Sequence, residues 1–224
     1  MPAAPLITAA ARDALQPLGL RQRGRSRLWF DDRGWWLILV EFQPSSWNQG
    51  TYLNVGAMWL WPPRNVWTFD EGGRLRWQPD GAYFAATEPG RTGATEFLAF
   101  DGDEQFAQDL RLVADVARRR TLELREQLRD LPAVVDHLTR GSAVSGADPR
   151  WRALHRGVAA GLNGDEAMAG HHFSQVAAGD LDPPYVIALA RQAAELRALA
   201  GDPPAFRARI EQDVEATRRN LKFR

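Results

Sequence analysis

Apolar positions along the chain change period twice, and each change marks a boundary between structural classes. Ile7, Ala11, Ala14, Leu15 and Leu18 recur at helical spacing. Gly19 followed by Leu20 has the form of a helix C-cap with its hydrophobic contact, so the first helix is predicted near residues 5–18. From Arg27 the period becomes two. Leu28 to Phe30 and Trp35 to Phe42 read as strands joined by the turn Asp31-Asp32-Arg33-Gly34. In the second run Trp36, Ile38, Val40 and Phe42 share one face, and Trp35, Leu37 and Leu39 the other. A strand apolar on both sides belongs in the middle of a sheet.

The connection Pro44-Ser45-Ser46-Trp47-Asn48-Gln49-Gly50 is made of turn formers. It leads to a third strand predicted over Thr51 to Trp61 and ended by Pro62-Pro63. Shorter runs follow at Val66–Phe69, Arg74–Trp77, Ala82–Thr87 and Thr95–Phe100, separated by Asp70-Glu71-Gly72-Gly73, Pro79-Asp80-Gly81 and Glu88-Pro89-Gly90. Short strands with Gly and Pro turns at this spacing predict an antiparallel meander.

After Asp101 the period returns to that of a helix. Asp101 and Glu104 have capping-box spacing, and Phe106, Leu110, Val113, Ala117, Leu124, Leu128 and Leu131 follow at helical intervals. A shorter helix carries Val134, Val135 and Leu138. Residues 141–147 form the best linker in the chain. Beyond it, Asp-Pro recurs at Asp148-Pro149, Asp182-Pro183 and Asp202-Pro203, each an N-cap before a first-turn proline. With Asp165 as a further cap, helices are predicted near 149–162, 165–178, 183–200 and 203–221. The starts at Asp148 and Asp182 lie 34 residues apart, the tetratricopeptide period, with Trp151, Leu154 and Ala167 in register. His155 and His171 stand where glycine and phenylalanine are usual. Too few units fit for a solenoid, so 149–221 reads as helical hairpins packed on the sheet region or on another copy.

The fold class that follows is α+β. A leading helix precedes a largely antiparallel, aromatic-rich sheet of about four to seven strands, and about six C-terminal helices come after it. The boundaries are a sheet domain over 1–140 and a helical extension over 148–224.

Composition narrows the function classes. Eight of the nine tryptophans fall between Trp29 and Trp77, inside the strand-rich stretch. Each such ring buries roughly 150–250 Å², so the stretch is either core or a surface kept for a partner. The chain has 224 residues and no cysteine, which removes disulfides, thiolate nucleophiles and zinc–sulfur sites. Basic and acidic side chains balance at 28 each, so global charge recruits neither nucleic acid nor an anionic membrane. The first twenty residues lack the basic start of a secretory signal, and no apolar run approaches the ~20 residues of a membrane helix. A cytoplasmic location is expected.

The candidate chemistry is sparse. Arg21, Arg23, Arg25 and Arg27 alternate, which on a strand would line up four guanidinium groups. Such a row would suit phosphate, carboxylate or an acidic protein; alternatively it protects an edge strand from unwanted pairing. Asn54 sits mid-strand, where a buried amide must find partners: either it ties down a neighbouring loop or it supplies one polar contact in an apolar pocket. Trp47, Trp61, Trp67 and Trp77 fall at strand ends or in turns. There they could anchor a protein partner, stack on a sugar or base, or pack beneath the C-terminal helices. His137, His155, His171 and His172 lack the i, i+3 or i, i+4 pairing of a helical metal site. No nucleophile elbow, phosphate loop or dinucleotide fingerprint is present.

Leu18-Gly19-Leu20, Arg23-Gly24, Phe30, Gln43-Pro44-Ser45-Ser46-Trp47 and Asn54-Val55-Gly56 carry a resemblance to a bacterial family known as domain of unknown function 4304. Its members look alike in a helix, a glycine-linked basic stretch, a hydrophobic strand ending near Gln-x-Ser and a strand bearing Asn-x-Gly. Leu20 departs from the more usual phenylalanine. The resemblance covers the first ~100 residues and implies a fold neighbourhood, with no activity to carry over.

The function expected is therefore a non-catalytic binding protein of accessory or toxin-neutralising type, with no cofactor and no metal. Its partner would be another protein, met by the strand-end tryptophans Trp47, Trp61, Trp67 and Trp77 together with the alternating arginines Arg21, Arg23, Arg25 and Arg27, and two copies could pair through the C-terminal helices. The competing expectation is an enzyme or small-ligand binder with a cleft between sheet and helices lined by Trp59, Trp61 and Asn54. A third is nucleic-acid binding through the Arg21–Arg27 strand.

Overall fold

The computed structural model describes residues 3–89, 91–140, 148–179 and 184–222. They divide into two compact units: one of residues 3–58 and 67–126, the other of residues 59–66 and 127–222.

The first unit opens with α1 (Ala3–Leu15), whose Ala3, Ile7, Ala11 and Leu15 repeat every four residues and are buried. A 3-10 turn over Gln16–Leu18 ends it. Gly19 takes φ +81°, and its amide bonds the Gln16 carbonyl at 2.8 Å while the Leu20 amide reaches Leu15 at 3.2 Å. This is the cap read from Gly19-Leu20.

Strands β1 (Arg21–Gln22), β2 (Leu28–Asp32), β3 (Trp36–Gln43), β4 (Gly50–Trp59), β5 (Glu71–Trp77) and β6 (Tyr83–Ala85) pair in chain order, antiparallel wherever the register is defined. Trp36, Leu37, Ile38, Leu39 and Val40 are all buried, as a central strand apolar on both faces requires.

The meander breaks at its end. β7 (Phe97–Ala99) does not extend past β6 but returns to pair Gly50–Tyr52 of β4, while Asn54–Ala57 of β4 pair β5. Thr95 and Trp77 exchange both backbone bonds at 2.9 Å, so the 95–99 segment is wedged against β4 and β5. Residues 71–73 also differ from expectation, being strand rather than turn. Gly56 faces Gly72 across the ladder, and a Cβ on Gly56 would stand 2.1 Å from the Glu71 carbonyl oxygen. Two glycines let the strands approach where side chains could not. Residues 66–69, predicted as a strand, are irregular, and Trp67 lies on Phe30 with ring centres 5.4 Å apart.

α2 (Asp103–Gln127) starts one residue later than the Asp101 cap implied, with the Gly102 carbonyl accepting the Phe106 amide. Its buried stripe runs from Phe106 through Leu110, Val113 and Ala117 to Leu124. Arg125 fastens it to the sheet, donating Nε to Asp31 Oδ2 at 2.9 Å and Nη2 to the Leu18 carbonyl at 2.7 Å.

The second unit is helical: α3 (Leu131–Arg140), α4 (Pro149–Leu162), α5 (Glu166–Val176), α6 (Pro184–Leu199) and α7 (Pro203–Leu221). Asp148, Asp165 and Asp202 cap α4, α5 and α7 by accepting the amides of Arg150, Met168 and Ala205. The cap proposed at Asp182 and the linker at 141–147 lie outside the described residues. The division falls at 126/127, not in the 140–148 interval, because α3 belongs with α4: Arg156 donates to the Leu138 and Thr139 carbonyls. In α4, Gly157 and Gly161 receive the rings of Phe173 and Phe206, which are 6.2 Å apart. The close α4–α5 contact is therefore Gly157 with Phe173. It does not involve His155 and His171, the tetratricopeptide positions. Among the described residues no helix is long and apolar enough to cross a membrane.

Candidate functional site

The clearest surface feature lies at one end of the first unit's sheet. Two connections meet there: the turn at 23–27 that enters β2, and the loop at 44–49 between β3 and β4. The Phe42 amide bonds the Arg27 carbonyl at 3.1 Å, which places the two connections side by side. In the loop, Ser45 Oγ accepts the amides of Trp47 and Asn48 at 3.1 and 3.3 Å. That local turn fixes the backbone under Trp47 while the indole points outward. Trp47 is 92% exposed, whereas Trp29, Trp36, Trp59, Trp61 and Trp77 are 5% exposed or less. Beside it is a depression of about 160 Å³ lined by Ala3, Arg27 and residues 44–50.

The alternating arginines do not share a strand face, which corrects the sequence reading. Only Arg21 and Gln22 are strand, because Gly24 at φ +55° turns the chain and the Ser26 amide and hydroxyl both donate to the Arg23 carbonyl. The four side chains diverge. Arg21 lies over Phe30 and approaches Asp32 at 3.8 Å. Arg23 lies over Trp67 at 5.0 Å. Arg25 is exposed at the turn, and Arg27 joins Trp47 at the depression. Arg27 Nη1 is buried with no hydrogen-bond partner among the described residues. Burial pulls this guanidinium below the usual arginine range.

Asn54 has the tying role. Its Nδ2 donates to Glu41 Oε2 at 3.0 Å and Gln43 Oε1 at 2.8 Å, and its Oδ1 accepts Arg74 Nε at 2.9 Å. Arg74 Nη2 also reaches Gln43 Oε1 at 2.8 Å, and its guanidinium stacks on Tyr52 at 3.8 Å. The amide is thus bonded on all three sides, and β3, β4 and β5 are cross-linked by side chains. Glu41 and Arg74 carry no signal in the sequence, and Gln43 stands out only as part of the Gln43–Trp47 motif, because their convergence on Asn54 depends on how β3, β4 and β5 pair.

Trp59 and Trp61 line no cleft, contrary to the competing expectation. Both are fully buried in the second unit, stacked with centres 4.9 Å apart at 11°. Trp61 Nε1 donates to His155 Nδ1 at 2.9 Å, and the Trp151 ring lies 6.1 Å from the imidazole at 25°. An indole N–H can only donate, so His155 is neutral with its proton on Nε2. Burial pushes its pKa well below 6.5, helped by the Arg64 charge. Arg64 itself stacks on Trp151 at 4.5 Å. This cluster is core, and its histidine is held for packing. His171 and His172 make hydrogen bonds to Gln175, and no group of acidic and histidine side chains among the described residues could hold a metal.

Of the residues singled out in the sequence, the structure brings Arg27 and Trp47 together, with Arg25 exposed in the adjoining turn. Arg23, Asn54, Trp59 and Trp61 are committed elsewhere. Comparison with known protein families, curated proteins and solved structures finds no match to this chain.

Proposed function

We propose that this chain is a non-catalytic binding protein whose docking surface for another protein is the sheet end carrying Trp47. The observation that supports the reading is the exposure of that indole amid buried ones. Leaving a ring of this size in water forgoes burial worth on the order of 3 kcal/mol. The loop supplies a local hydrogen-bonded turn that presents the ring instead of folding it inward. Tryptophan and arginine are the residue types that dominate interface hot spots, and here they line one depression. Kinship with the family of unknown function 4304 is also proposed. In its support, the quoted positions have structural work: Gly24 turns the chain, Gln43 and Asn54 bond each other, Ser45 builds the loop, and Gly56 admits β5.

The test is affinity purification from the source cell with wild type, Trp47→Ala and Arg25→Glu as baits. A protein recovered with wild type and lost with Trp47→Ala supports the reading, provided Trp47→Ala unfolds within about 0.5 kcal/mol of wild type, as a surface change should. Equal recovery by all three baits overturns it.

A further inference from the structure

We infer that the depression beside Trp47 receives a carboxylate side chain from an acidic segment of a protein partner, with Arg27 as receptor and the Trp47 indole as apolar anchor. The inference rests on the sheet-end reading above and adds the partner's chemistry.

The lining of the depression carries the argument. Among Ala3, Arg27 and residues 44–50, Arg27 is the one charged side chain; the rest are small, amide, hydroxyl or apolar groups. A cation drawn partly out of water without a counter-ion is a standing cost, relieved when an anion docks against it. Most other sheet-unit arginines with defined contacts are already engaged: Arg21 with Asp32, Arg125 with Asp31, Arg119 with Asp115, and Arg74 with Asn54 and Gln43. Among the described residues Arg27 has no such bond, and its place is fixed by the β2–β3 ladder.

The surroundings favour a peptide carboxylate over a nucleic acid. Arg25 adds positive charge in the turn on the β2 side. On the opposite flank, where the Phe100 amide bonds the Gln49 carbonyl, the chain continues into exposed Asp101 and Asp103. A phosphate backbone crossing this end would meet repulsion from that flank, and the chain has no net positive charge to offset it. A short acidic segment can lie along the arginine side and avoid the aspartates. In the helical unit, the hollow of about 880 Å³ at the start of α5 is lined by Asp165 and Glu166 as well as His171 and Arg197. The hollow of about 430 Å³ beside α4 is lined by Arg150, Arg152 and Arg156, but Arg150 is paired with Asp148 and Arg156 donates to the Leu138 and Thr139 carbonyls.

The test is selection of a displayed library of random linear peptides on the full chain, with Trp47→Ala used for counter-selection. Selected peptides are then synthesised in acidic and amide-substituted pairs and titrated by fluorescence polarisation at two salt concentrations. Enrichment of Asp and Glu beside an apolar residue is expected. Replacement of those acids by their amides should weaken binding about tenfold or more, Arg27→Gln should abolish the difference between the pair, and salt should weaken the acidic member. If no peptide depends on Trp47, the sheet-end reading itself fails. If Trp47-dependent peptides are neutral or basic, or bind Arg27→Gln unchanged, the sheet end stands and the carboxylate assignment falls. Tighter binding of a single-stranded oligonucleotide than of any acidic peptide also overturns it. Should Arg27→Gln fold poorly, Arg25→Ala together with the salt dependence decides the same question.

Discussion

Gly161→Ala should destabilise the helical unit even though alanine is the better helix former. A Cβ at Gly161 would stand 2.5, 2.7 and 3.1 Å from three ring atoms of Phe206. Comfortable carbon–carbon separation is about 3.5–4.0 Å, so the ring would have to retreat by about 1 Å. It has little room, because Phe206 is 1% exposed and packs against Phe173, which is itself seated on Gly157 with its nearest ring atom 2.6 Å from a would-be Cβ. Overpacking of this kind costs about 1–3 kcal/mol, against a propensity gain of about 1 kcal/mol. Gly170 in α5 isolates the two effects, since a Cβ there meets nothing within 4 Å. Gly170→Ala should therefore stabilise by about 0.5–1 kcal/mol. In urea titrations followed by far-ultraviolet circular dichroism, the gap between the two variants reads the packing cost directly, because the propensity gain is common to both. A gap of about 1–3 kcal/mol is expected. Equal stabilisation by both alanines would refute the close ring-on-glycine packing of α4.

Wild type should lose stability relative to His155→Gln as pH falls below 6.5. The folded protein keeps His155 neutral, with its pKa depressed by burial, while the unfolded chain takes up the proton. The slope should approach about 1.4 kcal/mol per pH unit, measured by urea unfolding at stepped pH, and a flat difference would contradict a buried neutral imidazole. Asn54→Ala should cost about 2–4 kcal/mol, because it deprives Glu41, Gln43 and Arg74 of partners at once. Thermal unfolding checks this, and a loss under about 1 kcal/mol would mean that the network contributes little.

Local signals were legible in the sequence and non-local ones were not. α4 was predicted at 149–162, the limits it has, because Asp148 and Pro149 set the start by chemistry confined to one turn. The end of the first helix was legible for the same reason at Gly19-Leu20. The return of β7 to β4 was hidden, since no residue near Phe97 encodes which edge it will meet. Glu71–Gly73 read as a turn because glycine marks both turns and close strand approach, and only the partner at Gly56 distinguishes them. The alternating arginines misled because Gly24 breaks the period that alternation assumes. The start of the second unit ahead of α3 was hidden, because it shows only in contacts with residues far along the chain, such as the Arg156 bonds to the Leu138 and Thr139 carbonyls. For the site, Trp47 was flagged together with Trp61 and Trp77, yet burial separates them: only the first has its backbone held by a Ser45 turn that leads the ring outward.

The most direct measurement of whether the Trp47 surface docks a protein is photo-crosslinking in the source cell with benzoylphenylalanine placed at position 47. Position 122, also exposed but on α2, serves as the control. A discrete protein adduct at 47 that is absent at 122 is the expected result. No adduct at 47, or the same adducts from both positions, would contradict a docking role for this end of the sheet.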